Sequence, residues 1–461
     1  MEIDFKKEVE SRKDAIINDL VGLIKINSEL TSFDPNRKDA PFGEGIRDSL
    51  LYMLDIAKRD GFEVLNVDGY AGHIIYGNQN DFVGSIGHLD VVPAGNNWTF
   101  PPYGAIINNN RMYGRGTEDD KGPTIAFYYA MKILKDLKVP LTKRIKLILA
   151  TDEETGWRGV EYYFKKFPEK PVSGFIPDAD FPLIYAEKGI ANIKIKGTCR
   201  ENEVKKIEAG FRSNMVPDFC EATLKVANLL VMKQEFEQFL TKSSSQGSTR
   251  IENDQIIVRI NGKSAHGSTP ELGINAIWLM FEFLRKVTTE NELVEIISKY
   301  FSGDTKGIKL GFSHTDKEMG DLTNNLGTLF YQDGKYEMDL NIRYPKGITA
   351  NIITNKLAKT LEKFDLQVEL ERDQPLLYVD PNSDLVQKLM SVYVKHTNDK
   401  KAKPIVIGGG TFARAMPNVV AFGPHFLDKE SFIHQKDEFI DLDDFFKAIA
   451  IYAESLYELS K

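Results

Sequence analysis

The sequence predicts an α/β domain interrupted by an α+β insertion, and three observations predict it. Over residues 1–187, short apolar runs alternate with helix-periodic stretches, and several runs end on acidic or imidazole side chains. After Glu187-Lys188-Gly189 the texture changes to closely spaced short strands with a few helices, through residue 381. From 382 onward a helix, an apolar run and a final helix restore the first texture. One domain thus comprises 1–187 and 382–461, and 188–381 is inserted into it.

Taken in order, residues 4–27 read as one amphipathic helix with Ile16, Ile17, Leu20, Leu23 and Ile24 on one side. Pro41-Phe42-Gly43-Glu44-Gly45 is a turn, and a helix follows over 44–59. Strands are predicted at 62–67, 73–77 and 82–88. The last of these ends on His88 and Asp90, which an extended chain points to the same side. An imidazole with a carboxylate behind it suits a metal ligand and its orienting partner. The pair alone is equally a buried histidine bonded to its neighbour.

A loop rich in proline and aromatics, 97–104, leads to Gly114-Arg115-Gly116-Thr117-Glu118-Asp119-Asp120-Lys121-Gly122-Pro123. Glycines and clustered acids mark a second loop, and a helix over 124–137 starts from it. A strand over 145–151 ends at Asp152-Glu153-Glu154-Thr155-Gly156, and a strand over 173–176 ends at Pro177-Asp178-Ala179-Asp180. Three predicted strand ends and the loop before a helix thus carry His/Asp, Glu-Glu, Asp and Asp, and open α/β sheets bind their ligands at strand ends. Carboxylates in such a row are costly unless water, metal or cations meet them.

The insertion holds strands at 192–196, 206–212, 219–226, 255–261, 326–332 and 336–343, with helices at 227–242, 273–288 and 350–363. Serines and a glycine over 242–250 predict a flexible turn or loop. In the returning part, a helix covers 382–396 and a strand 419–424, and the last helix covers 441–459. Gly408-Gly409-Gly410-Thr411 could cradle a phosphate, but it lacks the lysine of a phosphate-binding loop.

The 461 residues suffice for two or three domains, and the formal charge of −8 argues against nucleic acid as the main partner. Cys199 and Cys220 cannot form a disulfide scaffold, so a reducing compartment is expected, and both read as small core residues. The charged, helix-periodic start is unlike a signal sequence. No apolar run approaches the roughly 20 residues that span a bilayer. The expected location is cytoplasmic, with no membrane partner.

His88, Asp119, Glu154, Asp178 and His434 make a mixed nitrogen and oxygen set. With one shared carboxylate, such a set can bind two divalent ions of the zinc type. Glu153, beside Glu154, can serve as general base. His73, His314, His396 and His425 read as ordinary core or surface histidines.

These motifs, together with Gly262-Lys263-Ser264-Ala265-His266-Gly267 and His434-Gln435-Lys436-Asp437-Glu438, span nearly the whole chain. In that order they resemble the M20 metallopeptidase family, and most closely its bacterial dipeptidase branch, which includes PepV and the Xaa-His (carnosinase-like) dipeptidases. The resemblance implies a zinc-peptidase-like catalytic domain with a mixed sheet, and an inserted lid domain. It implies that His88 and Asp178 ligate one ion, Glu154 and His434 the other, and that Asp119 bridges both. Asp90 would orient His88, Glu153 would be the base, and His266 would stabilise the oxyanion. Arg343 would hold the substrate carboxylate, and Asn214, Gly410, Thr411 and Arg414 match substrate-cleft positions. The implied reaction is hydrolysis of short peptides, mainly dipeptides with a free C-terminal carboxylate, by a metal-bound hydroxide. Zinc is the default cofactor, and the carboxylate-rich set also suits manganese or cobalt. The long lid implies a monomer. An aminoacylase or deacylase of the same family, such as a succinyl-diaminopimelate desuccinylase, would share the metals. Asp178, where many aminoacylases and tripeptidases of the family have Glu, points to the dipeptidase branch. A metal-dependent binding protein without turnover would have no need of Glu153.

Overall fold

A computed structural model describes residues 3–461. The chain divides into two compact units. The first runs to Ala186 and resumes over Tyr378–Ile405 and Thr411–Lys461. The second comprises Glu187–Leu377 together with Val406–Gly410, a short segment that lies within 382–461 in sequence.

The first unit is built on a mixed sheet. Six of that sheet's nine strands run in the order Glu63–Val67, Ala71–Tyr76, Arg144–Ala150, Phe82–His88, Ser173–Ile176 and Val419–Ala421. The outer two join antiparallel, and Ala71–Tyr76 pairs antiparallel with Arg144–Ala150. From there as far as Val419–Ala421 the neighbours are parallel. Parallel neighbours need crossovers, and the helices Lys121–Asp136 and Arg158–Lys166 fall within them. Every residue of Phe82–His88 is buried, as a central strand covered on both faces requires. Register aligns His88 with Ala150, so the carboxyl ends of the two central strands are level. The segments that follow them therefore emerge on one edge of the sheet.

Helix Lys121–Asp136 packs against the last helix, Leu442–Ser460, and both bury residues on most of their circumference. The helix expected over 4–27 is instead two, Phe5–Glu10 and Lys13–Ile24. The break falls at Arg12, whose guanidinium takes the Glu8 carbonyl (2.8 Å) and reaches Asp136, a tie that periodicity does not reveal.

The second unit is an eight-stranded antiparallel sheet. Helices Leu229–Ser243, Ala276–Val287 and Ala350–Thr360 contribute to its core, with Phe236 against Phe283 at 5.0 Å. Strand Lys335–Tyr344 alternates: Tyr336, Met338, Leu340 and Ile342 enter that core, which turns Asn341 and Arg343 to the other face. The serine-rich segment expected as a flexible loop is largely an edge strand, Gln246–Glu252. It forms a hairpin with Gln255–Asn261 through Asn253 and Asp254, both with positive φ. The two-residue turn and the ladder order a segment whose side chains pack little. The other edge, Leu366–Gln374, alternates half-buried and exposed positions and has too few large apolar residues to read as a strand. Both cysteines are free, Cys220 being buried in this unit. Among the described residues, no helix is long and apolar enough to cross a membrane.

Candidate metal centre

The parallel strands of the first unit end on side chains that converge. His88 closes its strand fully buried, and its Nε2 lies 2.9 Å from Asp119 Oδ1. The other oxygen of Asp119, Oδ2, lies 3.0 Å from His434 Nε2. His434 Nε2 is also 3.0 Å from Glu154 Oε1, and His88 Nε2 is 3.9 Å from Asp178 Oδ2. One carboxylate thus faces two imidazoles, one oxygen to each, and each imidazole has a second carboxylate beside it. Asp180, by contrast, is bonded to His425 Nδ1 at 2.7 Å.

The local chain explains the convergence. Gly87 lets the strand approach helix Lys121–Asp136, since an added Cβ would stand 2.1 Å from Thr124 Oγ1. Through that gap Asp120 accepts from the His88 backbone N–H (2.8 Å) and from Thr124 Oγ1 (3.1 Å). Asp90 accepts the backbone N–H groups of Glu153 and Glu154, both at 3.1 Å, and so fixes the loop that carries them. The carboxylate expected to orient His88 thus also carries two amides of that loop. The His88 Nδ1 meets the Asp90 carbonyl oxygen at 2.9 Å, with the nearer carboxylate oxygen at 3.6 Å. Asp90 does hold the ring, but chiefly through its main chain. Glu153 stands beside the cluster, its Oε1 accepting from Trp157 Nε1 at 3.2 Å.

The electrostatics of the cluster favour a bound cation. Burial, reinforced by Asp119, pushes the Asp178 carboxyl up to about 7. Burial and neighbouring carboxylates also raise Glu153, well above its usual range, and Glu154. Asp119 goes the other way: burial opposes its charge, but bonds to His434 and His88 hold it below the usual carboxylate value. Burial likewise opposes charge on His434, yet Asp119 and Glu154 lift it to about 10. Four carboxylates and two imidazoles in so small a volume ask for positive charge. The donor atoms of His88, Asp119 and Glu154 all lie within 4.8 Å of one another. Mixed imidazole and carboxylate donors at such spacing fit a divalent metal ion.

The second unit holds its own cluster. His266 Nδ1 accepts from the Ser268 backbone N–H (3.2 Å) and meets Ser268 Oγ at 2.6 Å. A backbone N–H only donates, so the proton of the neutral ring belongs on Nε2. Crowding around the ring and then the Arg343 charge lower the His266 pKa, which favours that neutral form. Arg343 is buried; its Nε donates to Asn341 Oδ1 (2.8 Å) and its Nη1 to the Gly408 carbonyl (3.1 Å). The carbonyl of Asn214 accepts from Gly267 N at 2.7 Å, next to His266. Gly410 is exposed and belongs to this unit, whereas Thr411 and Arg414 belong to the first. Thr411 caps the short helix Phe412–Ala415, and Arg414 lies half-buried in it.

Three further residues of the first unit support the centre and were not singled out by the motifs. Glu438 is fully buried and accepts from Arg115 Nη1 (2.5 Å) and from the backbone of Gly116 and Glu118 (both 2.9 Å). It lies four residues after His434, in a motif already quoted, but its burial was not legible. Trp157 and Asp152 shape the loop bearing Glu153, and Asp152 does so through Arg158. The remaining histidines have ordinary partners: His73 with Tyr163, His314 with the Lys346 carbonyl and His396 with Glu454.

Residues 85–458 match the model of peptidase family M20/M25/M40. The Bacillus subtilis (strain 168) protein named "Putative dipeptidase YtjP" is 41% identical over 471 residues, covering 100% of both chains. The crystal structure of human carnosine dipeptidase 1 superposes with a TM-score of 0.60 at 15% identity, over 99% of this chain and 98% of that one. Dug1p, a di-peptidase from Saccharomyces cerevisiae, gives 0.59 at 15% identity over the same shares. At such identities the two structures speak for the fold alone.

Proposed function

The chain belongs to peptidase family M20/M25/M40, and from this premise we propose that it is a dipeptidase dependent on two divalent metal ions. Its substrates would be short peptides, chiefly dipeptides with a free C-terminal carboxylate. The observation that carries the proposal is Asp119 between His88 and His434, one oxygen towards each imidazole. The dipeptide class is supported by the name of the relative that is 41% identical over the full chain.

His88 and Asp178 would hold one ion, Glu154 and His434 the other, and Asp119 would bridge them. Ions of the zinc type, or manganese or cobalt, would supply charge that polarises the peptide carbonyl and acidifies a water. The chain's own residues would do the rest. Glu153 would take the proton of the attacking water and hand it to the leaving amine. His266, with its proton on Nε2, would donate to the oxygen that becomes negative as the carbonyl is attacked. The Arg343 guanidinium would pair with the carboxylate of the substrate, a task for which its planar fork is suited. Asn214, Gly410, Thr411 and Arg414 would add contacts to the peptide.

The test is a rate assay on a dipeptide panel after chelation and after stepwise return of zinc or manganese, with Glu153→Ala alongside. Activity should depend on added metal. The variant should bind both ions yet lose about 10²–10⁴-fold in rate. A variant of wild-type rate at full metal occupancy would remove Glu153 from the mechanism. An N-acyl amino acid cleaved faster than any dipeptide would replace the dipeptidase reading with a deacylase.

A further inference from the structure

Trp157 stands in a left-handed backbone conformation, φ 61° and ψ 11°, at the start of helix Arg158–Lys166. Such a conformation suits glycine and asparagine and is an outlier for a bulky residue. Among the described residues it is the only Phe, Tyr or Trp with positive φ. Outliers of this kind persist only where the surroundings hold them, and they gather at functional sites.

Here the surroundings are plain. The Trp157 backbone N–H donates to the Asp152 carbonyl at 2.7 Å, and Asp152 Oδ2 accepts from the Arg158 backbone N–H at 3.1 Å. The turn so fixed brings the indole back over Glu153, and Nε1 donates to Glu153 Oε1 at 3.2 Å. The ring packs on Phe412, centroids 4.7 Å apart, and Phe412 in turn meets the His88 ring edge-on at 6.5 Å. An indole N–H is a donor and nothing else. It can therefore hold Oε1 only as an acceptor, which leaves Oε2 as the oxygen able to gain and lose a proton. Asp90 fixes the backbone N–H of Glu153, so the residue is held at both ends.

We infer that Trp157 is a positioning residue for Glu153: its indole N–H pins Oε1 and so aims Oε2 at the reacting water and the leaving amine. The inference rests on Glu153 being the general base. It asks of Trp157 no part in binding metal or substrate.

A double-mutant cycle on the full-length, metal-loaded enzyme tests it, with a dipeptide as substrate. Trp157→Phe keeps a ring against Phe412 and removes the donor. The expected result is a fall in kcat of about tenfold, with KM and the content of both metals unchanged. In a Glu153→Gln background the same change should do nothing further, because the group it positions is gone. Wild-type kcat in Trp157→Phe would overturn the inference, and so would loss of metal, a rise in KM alone, or a full tenfold loss on top of Glu153→Gln. If Trp157→Phe does not fold, Trp157→Asn takes its place, since asparagine tolerates the backbone, and must show the same split between kcat and KM. The two readings fail separately. Wild-type kcat in Glu153→Gln would remove the base itself, whereas an inactive Glu153→Gln beside a fully active Trp157→Phe would remove only Trp157.

Discussion

Glu438 Oε2 accepts from Arg115 Nη1 at 2.5 Å, and neither side chain is exposed to water beyond 2%. The same carboxylate, through Oε1, accepts the backbone N–H groups of Gly116 and Glu118. The loop that carries Asp119 therefore wraps an acid that stands four residues after His434. One buried pair fastens the two segments that bring Asp119 and His434 together.

Removing the charge should show this. Glu438→Gln leaves Arg115 buried without its partner, a change that costs about 3–5 kcal/mol. Melting of the metal-free protein should fall accordingly. Calorimetric titration with zinc should show weaker binding at both sites, because Asp119 and His434 lose a common support. Unchanged zinc affinity in a destabilised variant would confine Glu438 to folding.

Asp119→Asn should weaken both ions, since one carboxylate faces both imidazoles. The loss should be at least the roughly 10–100-fold that outer-shell partners of a metal are worth. Zinc content after dialysis against a graded chelator would measure it. If one site keeps its wild-type affinity, the bridge lies elsewhere and Asp120 is the next candidate.

Arg343 should be felt through the substrate's carboxylate. Amidating that carboxylate should lower kcat/KM by about 30-fold, the worth of roughly 2 kcal/mol for a charged hydrogen bond. Arg343→Ala should impose a similar loss on the free dipeptide and little on the amide. Comparing the two substrates separates the ion pair from packing lost with a buried side chain. A variant that still discriminates sharply against the amide would mean another residue is the anchor.

His73 should mark the acid limb of stability. Burial, and then the Lys146 charge, lower its pKa to about 4. Between about pH 6.5 and 4 the unfolded chain binds a proton that the folded chain refuses, so stability falls as pH falls. Below about 4 both states are protonated and this contribution levels off. The span is worth on the order of 2 kcal/mol after allowing for solvent screening. His73→Asn should flatten the dependence of unfolding free energy on pH within that window, measured by urea titration. An unchanged slope would show that His73 charges in the folded state.

The central strands of the first unit's sheet were legible because they are buried on both faces. Phe82–His88 is a largely apolar, glycine-containing run, and such short runs read as buried strands when turn residues close them. The edge strands of the second unit were not legible for the opposite reason. Gln246–Glu252 is held by its ladder and its turn and buries almost nothing, so its side chains carry no signal.

The donors proposed for a metal centre could be named from sequence because such a site needs particular residue types, and His88, Glu154 and Asp178 end or follow strands. Sequence alone determined the mixed α/β class and the family, and it singled out His88, Asp119, Glu154, Asp178 and His434, which the fold brings together. Tertiary structure decided what each donor leans on. That the Asp90 carbonyl lies nearer His88 Nδ1 than its carboxylate does, while the carboxylate takes the amides of Glu153 and Glu154, is set by the fold. Burial of Glu438 with Arg115, and the turn that lays Trp157 on Glu153, arise from segments far apart or from a backbone strained against its residue type. A side chain's chemistry is written at its own position, but its hydrogen-bond partners are set by the packing of the rest of the chain.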